Sequence, residues 1–239
     1  HHQYSMPVYD DRPHMSTYAS NGYLVFMPDI VFEFGRPGTS SLDAITAGTQ
    51  KVIDLGYADP EKRGLQGHSW GGYQSSFILT QTDLFATVVT GAPPTNLTSF
   101  YNNIYGSSGT NHHGIMEIGQ VRMGRDVTPW THREMYQREN PMFFVPQIET
   151  PFMILHGTDD GAVDWMQGLE FYNAARRMGK EVVLLSYPGE GHHLGREANQ
   201  IDFQIRMKEW FDHYVKGVAP ADWIVNGIPF IEKQYNRAE

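Results

Sequence analysis

Apolar positions along the chain follow two alternating patterns. Short runs, "YLVFMP" (23–28), "RGLQGHS" (63–69), "FATVVTGA" (85–92), "PFMILHG" (151–157) and "EVVLLSYPG" (181–189), read as strands. The first is continuously apolar, as expected for a strand buried on both faces. Between the runs lie segments with helical spacing. In "SSLDAITAGTQKVIDLGY" (40–57), Leu42, Ile45, Val52, Ile53 and Leu55 recur mostly at helical intervals behind a serine suited to an N-cap. "GGYQSSFILTQT" (71–82) reads as a helix, as does "MQGLEFYNAARRMGK" (166–180), which ends near Gly179 with basic residues in its last turns. "IDFQIRMKEWFDHYVKG" (201–217) puts Phe203, Met207, Trp210, Phe211 and Tyr214 on one stripe. This alternation predicts an α/β fold, a mostly parallel sheet flanked by helices. Residues 93–150 break the rhythm. They are rich in Pro, Asn, Gly, Ser and aromatics, and read as a partly helical excursion that walls a site. The tail 218–239 reads as a surface wrap.

Composition narrows the picture little. With 239 residues, 40% hydrophobic and 19% charged, the chain reads as globular, one large domain rather than two small ones. A net charge of −9 argues against non-specific nucleic-acid binding. No apolar run approaches the roughly 20 residues of a membrane span. The absence of cysteine excludes disulfides and thiolate chemistry and leaves the compartment open.

The chemistry begins at "GHSWGGYQ" (67–74), which places Ser69 at the centre of G-x-S-x-G, between a strand and a helix. That is the setting of a nucleophile elbow, a sharp strained turn. Gly67 and Gly71 stand on either side, where bulk is expected to clash. A serine hydroxyl needs a base to become a nucleophile, and on this architecture acid and histidine follow in chain order at later strand ends. Asp159 and Asp160 lie in the turn after 152–156, and His192 and His193 in the loop after 181–186. The order Ser, acid, His at three strand ends is more specific than the elbow alone, but spacing does not choose within either pair. No metal or cofactor is assigned: H-E-x-x-H is absent, and the adjacent His112 and His113 do not easily share one ion.

"GHSWGGYQ", "LHGTDDGAV" and "YPGEGH", with "WFDHYVKG" near the end, resemble the catalytic domain of the prolyl oligopeptidase family of serine peptidases, over about residues 20–217. The resemblance implies an α/β-hydrolase fold and selects Asp160, four residues after His156, as the acid and His192 as the base. Asp159 is then a solvated turn residue, His193 a neighbour, and His68 and His156 structural turn residues. It implies an oxyanion hole from the Trp70 N–H and a tyrosine hydroxyl, with Tyr4 as candidate, and an apolar substrate slot lined by Trp70, Phe100, Tyr105 and Val163. A tryptophan common in the family's dipeptidyl peptidases is replaced by Leu97. The implied activity is hydrolysis of short peptides through an acyl-enzyme, with proline or a small apolar residue before the cut. The alternatives are a serine esterase acting on acylated carbohydrate or other small esters, and a non-catalytic binding module, whose usual mark is a broken triad.

By the same resemblance, the run 23–28 is the fold's fourth strand, and the third belongs between it and 63–68. Residues 1–239 are therefore expected to be the C-terminal part of an α/β-hydrolase domain lacking its first strands. The implied partners are a peptide substrate and the remainder of the same protein, with those strands and a β-propeller. A homodimer is compatible with this picture. Relatives with this ending are often exported, which favours the periplasm or export over the cytoplasm.

Overall fold

The computed structural model describes residues 10–228. Strands β1 (Gly64–His68), β2 (Thr87–Gly91), β3 (Phe152–Gly157) and β4 (Val182–Tyr187) form one sheet in that order, every neighbouring pair parallel. Helices α1 (Met15–Ser20) and α2 (Pro37–Asp54) precede the sheet, and α3 (Trp70–Leu79) joins β1 to β2. The excursion before β3 holds α4 (Leu97–Tyr101), α5 (His113–Glu117), α6 (Arg133–Arg138) and a 3-10 segment, Pro141–Gln147. Helix α7 (Trp165–Arg177) joins β3 to β4, and α8 (Glu197–Lys216) and α9 (Asp222–Asn226) follow. Because all four strands are parallel, their C-terminal ends open on one rim, where the loops carrying function gather.

The core follows the two-residue period of the strands. Val89, Met153 and Leu155 face one side and pack with Phe203, Met207, Trp210 and Phe211 of α8. Val88, Phe152 and Ile154 face the other and pack with Ile78 and Leu79 of α3 and Phe171 and Ala175 of α7. Each fully buried side chain of this kind contributes about 1.5–3 kcal/mol. The fully buried Trp210 donates its indole N–H to Thr87 Oγ1 at 2.6 Å, so no donor is stranded. Tyr214, at the edge of the predicted stripe, is only partly buried.

The excursion has a core of its own. Tyr101, Met116, Val121, Met123 and Tyr136 pack together and onto Trp70 and Tyr73 of α3, which fixes this segment beside the elbow. Its buried Glu139 accepts from the N–H groups of Gly38 and Thr39, both at 2.9 Å, at the start of α2. A carboxylate is favoured at that end of a helix dipole.

One expectation is overturned. Residues 23–28 are not a buried strand: Leu24 is 63% and Met27 73% exposed, and the backbone enters no sheet. Among the described residues no strand lies beside this run, and β1 has a neighbour on one side only. Phe26 and Pro28 rest on Gly48 of α2 instead. A continuous apolar run becomes a buried strand only when ladder partners flank it, and periodicity cannot supply them.

Candidate active site

The chain reverses sharply between β1 and α3, and Ser69 occupies the bend at φ 60°, ψ −119°. A non-glycine residue at positive φ is strained and needs surrounding structure to hold it. The Ser69 N–H donates to Gly91 O at 2.8 Å, and Ser69 O accepts from Tyr73 N at 3.0 Å. A Cβ on Gly67 would lie 1.9 Å from the Gly71 carbonyl oxygen, so no other residue fits. The crowding expected at Gly71 is absent. A Cβ there would meet nothing within 4 Å outside its own helix backbone and chain neighbours.

Ser69, Asp160 and His192 come together at the rim. His192 Nδ1 lies 2.8 Å from Asp160 Oδ2 and 3.1 Å from Oδ1, and His192 Nε2 lies 2.7 Å from Ser69 Oγ. An ionised carboxylate only accepts, so Nδ1 carries the proton; Nε2 then accepts from the serine hydroxyl. Asp160 Oδ1 also takes the N–H groups of Ala162 at 2.8 Å and Val163 at 2.9 Å. His156 Nε2 donates to Val163 O at 2.9 Å and stands 3.3 Å from Asp160 Oδ2. Burial alone would raise the Asp160 pKa. Hydrogen bonds from His156, His192 and the Val163 N–H outweigh it and hold the carboxyl below its usual range. Asp159 is exposed, and its carboxylate accepts from Thr158 Oγ1.

Groups behind this row brace it. His68 Nε2 donates to the main-chain oxygen of His192 at 2.8 Å. Burial, with His192 and His193 close by, pushes the His68 pKa down to about 3, so this ring is neutral. His193 donates through Nδ1 to the buried Asp11 at 2.8 Å, and Asp11 O accepts from Gln66 of β1. Burial raises the Asp11 carboxyl above its usual value. In the loop after β4, the buried Glu190 accepts from the N–H groups of Gly195 at 2.7 Å and Arg196 at 3.2 Å, and from the Asn199 amide. A Cβ on Gly157, at the end of β3, would lie 2.4 Å from the carbonyl oxygens of both Glu190 and Gly191. Glu190 sits inside the "YPGEGH" stretch, so the sequence signalled its place but not its work. Nothing in the sequence marked Asp11.

Trp70, Phe100 and Val163 share one buried apolar cluster, with Trp70 stacked on Tyr73 at 4.2 Å between ring centroids. Tyr105 is half-buried and reaches that cluster through His112, whose ring lies 4.3 Å from both Phe100 and Tyr105. Gly106 N donates to Gly161 O, tying this loop to the turn that carries Asp160. Tyr4 lies outside the described residues. Among the described residues, His68, His192 and His193 are one group whose donor atoms lie within 4.8 Å of one another. The His68 and His193 rings stack at 27°, and His68 Nε2 and His193 Nδ1 are already engaged by His192 O and Asp11 Oδ2. No helix among the described residues is long and apolar enough to cross a membrane.

The model of the prolyl oligopeptidase family matches residues 34–218, and the chain belongs to that family. It is 28% identical over 189 residues to the uncharacterized peptidase YuxL of Bacillus subtilis, covering 76% of this chain and 27% of that protein. It is 27% identical over 216 residues to dipeptidyl-peptidase 5 of Schizosaccharomyces pombe, covering 84% of this chain and 30% of that protein. The chain thus spans under a third of these curated relatives. Among solved structures, a puromycin-hydrolyzing peptidase of Mycobacterium tuberculosis superposes with a TM-score of 0.67 at 22% identity, over 78% of this chain and 27% of that one. The acylaminoacyl peptidase of Pyrococcus horikoshii superposes with a TM-score of 0.63 at 22% identity, over 82% and 31%. The fold is that of an α/β-hydrolase, represented here by four parallel strands and their helices.

Proposed function

We propose that this chain carries the nucleophile, base and acid of a serine peptidase that cleaves short peptides through an acyl-enzyme. The observation that supports this reading is the unbroken hydrogen-bond chain from Ser69 Oγ to His192 at 2.7 Å and from His192 to Asp160 at 2.8 Å. Ser69 attacks the scissile carbonyl while His192 Nε2 takes its proton. His192 then gives that proton to the leaving amine and activates the water that releases the acyl group. Asp160 fixes the imidazole tautomer and stabilises the imidazolium. Its three further hydrogen-bonding neighbours keep it ionised for that task. Trp70 opens α3, so its N–H has no partner inside the helix and serves as the first oxyanion donor.

The apolar cluster around Trp70, Phe100 and Val163, with Tyr105 beside it, suits proline or a small apolar residue before the scissile bond. The discriminating experiment compares peptide anilides bearing proline or alanine at that position with simple aryl esters, using the full-length protein. Turnover of the anilides, abolished in Ser69→Ala, is the expected result. Ester turnover without any amide cleavage would replace the peptidase by an esterase.

A further inference from the structure

Building on the peptidase reading, we infer that His68 is a positioning residue: through its Nε2–H it holds the main-chain carbonyl of His192 and keeps the base-bearing loop in register with the elbow. Two acceptors face that nitrogen, His192 O at 2.8 Å and Asp11 Oδ2 at 3.6 Å, so the ring's proton resides there. The other nitrogen, Nδ1, is buried without a partner. It presses on the main chain of β2, where a Cβ on Gly91 would lie 2.4 Å away. The imidazole of His193 covers the ring at 4.8 Å between centroids and 27° between planes. His193 is itself held by Asp11. His68 is therefore clamped between β2 and a second acid–imidazole pair, with a side chain only 6% exposed.

The placement has a chemical consequence. The nucleophile and the base are 123 positions apart in the chain and meet through the Ser69–His192 bond. Acylation consumes that bond, because the serine oxygen no longer carries a proton to donate. The His68 bond joins the residue before the nucleophile to the base residue and survives the step. It keeps His192 over the acyl group while water attacks. A group of this kind acts on orientation, and modest misplacement of a base costs rate more than affinity.

The test uses full-length protein with His68→Phe, which fills the space without a donor, and His68→Gln, whose amide N–H reaches toward the same carbonyl. The phenylalanine variant is expected to lose about tenfold in kcat on a peptide anilide and to show an initial burst, as release of the acyl group slows. The glutamine variant is expected to recover to within about threefold of wild type. Hydrogen exchange in residues 188–196 reads the tie without any turnover and is expected to be faster in the phenylalanine variant than in the glutamine one. Equal kinetics and equal exchange in the two variants overturn the inference. A wild-type protein inert toward anilides and toward a fluorophosphonate overturns the peptidase reading instead, and the exchange measurement still decides the role of His68.

Discussion

The rim at the C-terminal ends of β1, β3 and β4 and the flank formed by residues 23–34 solve opposite problems. At the rim, the buried polar side chains each make at least one hydrogen bond, although Asp11 Oδ1 and the Nδ1 atoms of His68 and His156 have no partner among the described residues. Asp160 receives two backbone N–H groups and two imidazoles, Glu190 ties down its own loop, and His68 reaches the loop of the base. On the flank, Leu24, Met27, Val31 and Phe34 are apolar and lie 63–84% exposed. The rim spends buried polarity on geometry, while the flank presents apolar area that the described residues do not cover. The comparison teaches that apolarity alone does not locate importance here, whereas a satisfied buried polar group does.

Substitutions across the two regions rank accordingly. Ser69→Ala removes the proposed nucleophile and is expected to lower kcat by about 10⁶ while the melting temperature holds or rises, since the strained bend remains packed. Asp160→Asn is expected to cost about 10⁴ in kcat by upsetting the imidazole tautomer. It also carries a pH signature. A carboxyl held below its usual range stabilises the fold fully above the unfolded-state value near pH ~4, and that contribution disappears as pH falls from there through the lowered folded-state value. The stability gap between wild type and Asp160→Asn is thus expected to be flat from neutral pH to about 5 and to close only in stronger acid, as a denaturant series will show. Gly157→Ala drives a methyl into two main-chain carbonyls and is expected to destabilise by about 3 kcal/mol, with activity falling alongside. In the 239-residue chain, Met27→Ser or Val31→Ser on the flank is expected to change stability by no more than about 0.5 kcal/mol. A flank substitution that destabilised as much as Gly157→Ala would break the contrast.

Much of the rim was legible in the chain. Gly67 announces the elbow because only glycine fits against the Gly71 carbonyl, and the strands leading to Asp160 and His192 are apolar runs that pair with neighbouring strands. Spacing alone left Asp159 and Asp160 equivalent; the difference is that one carboxylate turns outward and the other meets His192. What stayed hidden depends on long-range contact. Asp11 reaches His193 across 182 positions, which no local pattern encodes. Residues 23–28 have the composition of a buried strand, yet burial is a property of neighbours. Inside 93–150, Tyr101, Met116 and Tyr136 form a core without a regular period because short helices separated by turns bring them together.

The central claim is that Ser69 is an activated nucleophile whose base is His192. Treating the folded full-length protein with a fluorophosphonate and mapping the adduct by mass spectrometry tests it most directly. The account predicts a single adduct on Ser69, absent after His192→Ala. An adduct that persists undiminished in His192→Ala, or that maps to another residue, would contradict it.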